Sequence, residues 1–469
     1  MCILSTQTVK AKKKFEFPHG FVILFAFMVL TAITTYFVPA GEYERTTDEN
    51  GQSLVVDGTY HTVDSNPTGF MDLFQSLHVG MVDAAGIIFF IFIVGGSFGI
   101  FRATNTIEAA FGSITKKLAG KELVLIPVIM LFFAICGGTW GMAEEAIPFI
   151  LIAVPLAMML GFDSITGTAM ILASVYAGFG SAFMNPFTVG VAQGIAGLPT
   201  FSGMGVRFVF WLIFVGVTIA YVMLYARKVK KDPTKSLMYE EDLKREINHE
   251  LIQQQTLTKR QMLILAVLVL TLIGLALGVI LEGWYIPEIA SLFLIMGIVV
   301  GIIGKLRVNQ MAEAFVKGCE ELVMGALIVG FAYGILIILQ DSNTIDTILY
   351  GISNLVAGLP SSLTAIGMFI TQSLLNFIVP SGSGQAAISM PIMAPLGDLV
   401  GVSRQTAVLA FQYGDGISNI FTPTAGILMA ALAIAKIPWV KWLKWVFPLI
   451  VIQYILGAIF VTVAHMFIW

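Results

Sequence analysis

Charged side chains are scarce in this chain of 469 residues: only 12 % are Asp, Glu, Lys or Arg, whereas 57 % are hydrophobic. The mean hydropathy is +0.88. So little charge excludes a soluble globular domain, in which about 25 % of residues are charged. Apolar stretches such as 21–38, 87–101 and 262–281 approach the roughly 20 residues that cross a bilayer. The composition therefore predicts an all-α integral membrane protein whose surroundings are lipid.

Cysteine and histidine are also rare, and this scarcity excludes several kinds of site. The three cysteines, Cys2, Cys136 and Cys319, have neither metal-ligand spacing nor an obvious disulfide partner, so we expect ordinary buried thiols. The five histidines are scattered, and no Ser/His/Asp or His/Glu constellation lies within the apolar spans. The sequence therefore predicts no metal site and no enzyme. The basic residues cluster at membrane edges rather than on one face, so the net charge of −3 gives no sign of a nucleic-acid partner, and none is expected.

The basic residues instead indicate orientation, because Lys and Arg are enriched in cytoplasmic loops. Four lysines precede the first apolar stretch, so we expect a cytoplasmic N-terminus and a first helix that is retained rather than cleaved. Arg45 is the only Lys or Arg in the polar stretch 41–68, so we expect this stretch on the outer side of the membrane. Residues 227–260 are rich in Lys and Arg and are expected to form a cytoplasmic linker. About nine crossings of the cell membrane, inner or plasma, satisfy this pattern.

The chain also matches itself at an offset of about 240 residues. Four matches keep their order: 105–108 with 343–346, 141–148 with 384–391, Pro155-Leu156 with Pro395-Leu396, and Asn185-Pro186 with Thr422-Pro423. Unrelated Gly/Pro kinks are the alternative explanation. Lysine flanks the first copy but not the second, which predicts an inverted repeat, typical of transporters. The predicted divisions are 1–81, 82–226 (first repeat), 227–260 (linker), 261–317 (scaffold) and 318–469 (second repeat).

Each predicted repeat contains two interruptions of helix. The first is a re-entrant hairpin, at 123–160 around the tip CGGTWG and at 363–400 around the tip PSGSG. The second is an unwound helix, at 164–198 and 404–434, where glycine, polar residues and proline interrupt an apolar span. Non-helical backbone at membrane depth is tolerated only where protein, water, an ion or a substrate supplies hydrogen-bond partners. Four such breaks near the midplane predict a binding site.

Polar side chains at these breaks are the candidate site residues. Intramembrane carboxylates are costly and usually functional, and carbonyl, Asn, Ser and Thr oxygens suit a small hard cation. The alternatives are interhelical hydrogen bonding for Ser, Asn and Thr and a water-exposed hairpin tip for the carboxylates. The predicted substrate-binding residues are Trp140, Glu144, Glu145, Ser181, Asn185, Ser381, Ser383, Gln385, Asp415, Asn419 and Thr422. The predicted ion-binding residues are Gly138, Asn185, Ser383, Asp415 and Ser418.

The segments GGTWGMAEEAIPF, NPF and PSGSGQAAISMPIMAPLGDLVGVSRQTAVLAFQYGDGISNIFTPT resemble the YfcC-type transporters, which are grouped with the anaerobic dicarboxylate carriers in the ion transporter superfamily. The likeness covers nearly the whole chain. It implies an elevator mechanism in a homodimer, in which a transport domain carrying both hairpins slides against a scaffold. Members resemble arginine/ornithine antiporters as well as dicarboxylate carriers.

The charges at the breaks favour one substrate class. Neither hairpin tip and neither unwound segment contains Lys or Arg, whereas Glu144, Glu145 and Asp415 lie there. We therefore predict a secondary transporter for a basic amino acid such as arginine or ornithine, with no cofactor other than Na+ or H+ as a coupling ion. A sodium- or proton-coupled dicarboxylate transporter is the alternative. An integral membrane enzyme and a channel are the alternatives from other classes.

Overall fold

A computed structural model describes residues 20–47, 53–56, 58–107, 109–110, 113, 120–245, 257–357 and 361–469. Helices dominate these ranges. The α-helices are α1 (Gly20–Thr34), α2 (Phe70–Asp83), α3 (Ala85–Ala103), α4 (Leu125–Trp140), α5 (Ile150–Met159), α6 (Ser164–Gly180), α7 (Val191–Ile195), α8 (Met204–Lys231), α9 (Tyr239–Asp242), α10 (Lys259–Glu282), α11 (Ile286–Ile303), α12 (Val308–Asp341), α13 (Ile345–Ala357), α14 (Ser361–Asn376), α15 (Gly382–Val400), α16 (Arg404–Ser418), α17 (Gly426–Ile434) and α18 (Trp439–Val463). Shorter 3-10 turns cover Glu122–Val124, Glu144–Phe149 and Pro233–Lys235, and π turns cover Pro186–Gly190 and Ala464–Ile468.

Seven of the described helical segments are long and apolar enough to cross a membrane: α3, α4 with its leading turn, α8, most of α10, α11, α12, and α18 with its trailing turn. Three shorter apolar helices, α1, α6 and α14, accompany them. In lipid a helix satisfies its own backbone hydrogen bonds, which is why apolar segments of this length fold as helices. The predicted all-α integral membrane fold is confirmed.

One group of helices packs around α3 and α12. Within this group, which we call the scaffold group, α12 packs along α1, α2 and α3, and α11 packs along α3. Glycine permits the closest approach: a Cβ at Gly99 would lie 2.2 Å from the Ala314 carbonyl oxygen, and one at Gly318 would lie 2.3 Å from the Gly95 carbonyl oxygen. Small residues at such crossings are typical of membrane helix packing.

Ten of the other helices repeat one order of elements twice. In the first copy, a helical hairpin of α4 and α5 is followed by a broken helix, α6 and α7, and by the long helix α8. In the second copy, the hairpin is α14 and α15, the broken helix is α16 and α17, and the long helix is α18. We call these ten helices the hairpin group. The two broken helices meet at glycine, because a Cβ at Gly416 would lie 2.0 Å from the Gly180 Cα atom. The two copies are therefore in backbone contact.

The first hairpin differs from the sequence expectation at its tip. The tip was expected over CGGTWG, but α4 continues as helix to Trp140, and the turn lies at 141–143, where Gly141 has φ +75°. Gly137 and Gly138 serve packing instead, because Cβ atoms there would lie 2.4 Å from the Val175 carbonyl oxygen and 2.6 Å from the Trp211 indole nitrogen. The first arm of this hairpin, α4 with its leading turn, is thus a 19-residue apolar segment.

The polar stretch after α1 folds into two small antiparallel ribbons. Strand β1 (Gly41–Glu42) pairs with β4 (His61–Thr62), and β2 (Arg45–Thr47) pairs with β3 (Ser53–Val55). We call residues 41–62 the strand loop. It docks on α13, where the Asp346 carboxylate accepts both an Arg45 guanidinium bond at 2.9 Å and the Tyr43 backbone N–H at 3.0 Å, and the Tyr60 ring stacks on Tyr350 at 4.1 Å. Strand β3 also contacts α15.

The predicted linker begins later than expected, because α8 continues to Lys231. Residues 232–245, which we call the linker clip, join turns from both repeats. Asp163 accepts hydrogen bonds from the Tyr225 and Ser236 hydroxyls, both at 2.6 Å, and the Arg245 guanidinium donates to the Ala435 carbonyl at 2.7 Å. The predicted linker residues 246–256 lie outside the described residues.

Candidate substrate site

Both hairpin tips and both broken helices border one cavity of about 1030 Å³, a volume that includes space open to solvent. The hairpin group supplies one side of its lining: Gly141, Ala143, Glu144, Glu145, Tyr176, Phe179, Phe187, Thr188, Pro380, Ser381, Gly382, Ser383, Asn419, Thr424, Ala425, Gly426 and Ile427. The other side comes from α3, α11, α12 and the turn before α11: Ile87, Tyr285, Ile286, Ile289, Val329, Ala332 and Tyr333. The cavity therefore lies between the two groups of helices.

Five of the predicted site residues line this cavity: Glu144, Glu145, Ser381, Ser383 and Asn419. The two glutamates open the 3-10 turn that follows the glycine turn of the first hairpin. Glu145 accepts the Ala143 backbone N–H at 3.0 Å. Neither carboxylate forms an ion pair within the described part of the chain, and the lining contains no Lys or Arg. The cavity is therefore acidic.

Two helix N-termini also border the cavity. Ser381 caps α15, with its hydroxyl accepting the Gly384 N–H at 3.4 Å, and Ala425 precedes the first turn of α17. Helix N-termini carry free N–H groups and a partial positive charge, so they favour anionic groups. The site thus combines two carboxylates with two places suited to a carboxylate of a ligand.

Asp415 lies behind the second hairpin tip and not in the cavity lining. It is fully buried, and both of its carboxylate oxygens lack hydrogen-bond partners in the structure. One of them would lie 3.3 Å from a Cβ built on Gly382, a cavity residue. A buried carboxylate without a donor is costly, and a proton, a water, a cation or a ligand group would each offset this cost.

Asn376, at the end of α14, hydrogen-bonds to the backbone of Asp415 and was not among the predicted site residues. Its side-chain amide donates to the Asp415 carbonyl at 2.6 Å and to the Ser418 hydroxyl at 2.7 Å. Its side-chain oxygen is buried and has no donor in the structure. Carboxylate and amide oxygens of this kind fit Na+, and the carboxylate also fits H+. A role of these residues in binding a coupling ion stays a prediction.

The other predicted residues lie outside the cavity lining and make local contacts. The Ser181 hydroxyl donates to the Ala177 carbonyl, and the Thr422 hydroxyl to the Ser418 carbonyl. The Gln385 amide donates to Gln372. The Asn185 side-chain oxygen accepts the Phe187 N–H, and the Ser418 hydroxyl donates to the Gly414 carbonyl. The Gly138 carbonyl accepts the Met184 N–H. The Trp140 indole N–H is buried and has no acceptor in the structure. Their roles in binding stay predictions.

Sequence reasoning missed the hydroxyl and aromatic side chains of the lining. The hydroxyls of Tyr176, Thr188 and Thr424 are buried without partners in the structure and line the cavity. Tyr176 and Thr188 lie within the predicted unwound helix, but no motif marks them. Tyr285 and Tyr333 lie outside both the hairpins and the broken helices, so a search confined to breaks could not find them.

Neither a metal cluster nor a disulfide occurs among the residues that the structure describes. No group of three or more His, Cys, Asp and Glu side chains that could hold a metal ion occurs among the described residues. Cys136 is a buried free thiol, and Cys319 donates to the Phe92 carbonyl. Cys2 lies outside the described residues.

Comparison with known proteins identifies the relatives of this chain. Residues 17–466 match the family described as "DcuC: C4-dicarboxylate anaerobic carrier". An Escherichia coli K12 protein named "Putative basic amino acid antiporter YfcC" is 39 % identical, over 92 % of this chain and 94 % of the relative. An uncharacterized protein of Haemophilus influenzae is 30 % identical, over 97 % of this chain and 98 % of the relative.

Two solved transporter structures also resemble the fold at low similarity. The Alcanivorax borkumensis YdaH transporter has a TM-score of 0.44 and 16 % identity, over 96 % of this chain and 99 % of its own. Neisseria gonorrhoeae MtrF, titled as one of a class of antimetabolite efflux pumps, has a TM-score of 0.42 and 15 % identity, over 96 % of each chain. At this level of similarity neither structure is a guide to the substrate.

Proposed function

We propose a substrate for this protein from one premise: the chain belongs to the C4-dicarboxylate anaerobic carrier family. It is therefore a multi-pass membrane transporter and not an enzyme. We propose that it exchanges basic amino acids such as arginine and ornithine. The observation that carries this proposal is the cavity lined by Glu144 and Glu145 without a basic residue.

Electrostatics supports a cationic side chain in this cavity. Two carboxylates partly removed from water require compensation, and a guanidinium or ammonium group supplies it with charge-assisted hydrogen bonds. The α-carboxylate of the same substrate fits the helix N-termini at Ser381 and Ala425. An amino acid with a basic side chain thus matches both ends of the site. The E. coli relative carries the corresponding name.

A C4-dicarboxylate is the second candidate, and the family description names it. The two helix N-termini, together with the neutral side chains of Ser381, Ser383 and Asn419 at the cavity, favour carboxylates. A dianion would, however, meet Glu144 and Glu145 without a compensating cation from the protein. The charge balance therefore favours the basic amino acid.

Transport by an elevator movement is a further part of the proposal. The cavity lies between the scaffold group and the hairpin group, so displacement of one group along the other would carry a bound substrate. The proposed assembly is a homodimer in the cell membrane, with scaffold helices at the interface and the N-terminus in the cytoplasm. Asp415, with Asn376 and Ser418, is the proposed place for Na+ or H+ if exchange is ion-coupled.

Ligand-induced thermal stabilisation of the purified protein tests the substrate. Arginine and ornithine should stabilise the wild type, whereas succinate should not. Glu144→Gln should weaken arginine binding more than a hundredfold, because removing one member of a desolvated charge pair costs about 3–5 kcal/mol. Glu313→Gln, a change at an exposed glutamate in α12, is the matched control and should bind as the wild type does.

Counterflow in proteoliposomes gives the second readout for the same proposal. Arginine uptake should require internal arginine or ornithine and should be lost in Glu144→Gln. Stabilisation by succinate alone, with no response to arginine, would instead establish the dicarboxylate.

A further inference from the structure

Aromatic side chains from both sides of the cavity line it together with Glu144 of the first hairpin tip. Tyr285 lies in the turn between α10 and α11, and Tyr333 lies in α12; both line the cavity together with Glu144. The Phe187 ring, from the first broken helix, lies beside Tyr285 with centroids 5.3 Å apart. A carboxylate and several aromatic rings therefore line the same cavity.

The rings come from different parts of the chain than the carboxylate. Tyr285 and Tyr333 belong to the α10–α12 region, whereas Glu144 belongs to the first hairpin and Phe187 to the first broken helix. Tyr285 is about half exposed, at 53 %, and Tyr333 is part-buried. The part of each ring that lines the cavity is available to a ligand.

Aromatic faces carry negative electrostatic potential, so they attract cations and repel anions. A cation near Glu144 would contact these rings as well as the carboxylate. The planar guanidinium of arginine also stacks on aromatic rings. By contrast, a carboxylate placed against the same rings would be repelled both by them and by Glu144.

We propose that Tyr285, Tyr333 and Phe187 form an aromatic wall that, with Glu144, receives the cationic side chain of the substrate and sets the preference for guanidinium over neutral or anionic ends. This inference rests on the proposed function and names specificity-determining residues for it. Recognition is then divided between the two groups of helices: the hairpin group supplies Glu144 and Phe187, and the other side supplies the two tyrosines.

Variants of the two tyrosines test the wall by arginine-induced stabilisation and by counterflow. Tyr285→Phe and Tyr333→Phe keep the ring and should bind arginine within about twofold of the wild type. Tyr285→Leu and Tyr333→Leu remove it and should weaken arginine binding between about twofold and thirtyfold each, the range of a cation–π contact. Tyr36→Leu, at a tyrosine that is 61 % exposed and outside the cavity, is the matched control.

Comparison with citrulline, the neutral counterpart of arginine, separates the attraction of the rings for a cation from general packing. The wild type should prefer arginine to citrulline, and the leucine variants should reduce that preference. Leucine variants that bind arginine as the wild type does would overturn the wall while leaving the proposed substrate intact. A wild type that binds no basic amino acid would overturn both. If Tyr333→Leu does not fold, Tyr285→Leu decides, because its side chain is the more exposed.

Discussion

At the scale of single residues, the contact between Gly180 and Gly416 is the closest approach of the two broken helices. Neither position has φ in the left-handed region, so the requirement for glycine comes from space and not from backbone conformation. A Cβ at Gly416 would meet backbone atoms, which cannot rotate away as the end of a side chain can. Substitution here must therefore separate the helices that carry Asp415 and Tyr176.

Gly416→Ala should lower the stability of the folded protein by about 1–3 kcal/mol, the cost of overpacking a tight contact. The thermal melting temperature in detergent is the measurement. Gly216→Ala in α8 is the matched control, because a Cβ there meets nothing within 4 Å, and alanine is the better helix former. A Gly416→Ala protein that melts with the wild type would contradict the backbone contact.

Glycine also shows why the first hairpin tip could not be placed from sequence. The sequence alone does not distinguish the role of Gly137-Gly138 from that of Gly141, and adjacent glycines usually indicate a turn. Only Gly141 has positive φ, whereas the other two accommodate α6 and Trp211. The atoms that leave no room for a Cβ at Gly137 and Gly138 belong to a distant part of the chain, so a local pattern cannot reveal them.

At the scale of elements, the strand loop connects α1 and α2 but docks on α13 and α15, far along the sequence. Its Arg45 is the single basic residue of the stretch and pairs with Asp346. Asp346 is nearly buried, at 3 % exposure, so its carboxylate depends on the donors from the loop. The loop thus holds the amphipathic helix that leads into the second hairpin.

Asp346→Asn should destabilise the protein by on the order of 1–3 kcal/mol, because a buried, charge-assisted set of hydrogen bonds is weakened. Asp398→Asn is the control, since its pair with Arg404 is exposed on both sides and such pairs contribute little. Thermal melting of the two variants compares them directly. Equal, small losses in both would mean that the loop contact does not hold α13.

Strands of two or three residues carry too few positions for an alternating pattern, so the ribbons of the strand loop could not be predicted. The helices and their breaks were more accessible, because long apolar runs and the residues of AGFGSAFMNPF and YGDGISNIFTP act locally on the backbone. α6 ends at Gly180 and α16 at Ser418, within those segments. The parts of the site that the sequence did not predict, Asn376 and the tyrosines, depend on tertiary contacts instead.

At the scale of the whole molecule, the order of hairpin, broken helix and long helix occurs twice, and the opposite orientation of the two copies stays a prediction from the lysines. The bases of the hairpins are the places to test it. Lys121 precedes the first hairpin, and Asp398 lies near the end of the second; both are exposed. Inversion requires these two bases to lie on opposite faces of the membrane.

Single cysteines at Lys121 and Asp398, in a background with Cys2, Cys136 and Cys319 replaced by alanine, should label from the cytoplasmic and the outer side, respectively. An impermeant maleimide applied to intact cells and to inverted vesicles measures this. Transport by the cysteine-free background is the control for folding. Labelling of both positions from the same side would contradict the inverted repeat.

The linker clip has a consequence for the proposed elevator movement. The Ser236 hydroxyl bonds to Asp163, and the Arg245 guanidinium bonds to the Ala435 carbonyl. Asp163 opens the first broken helix, and Ala435 follows the second one. The clip therefore ties an end of one broken helix to an end of the other, so in the proposed movement these two ends would travel together.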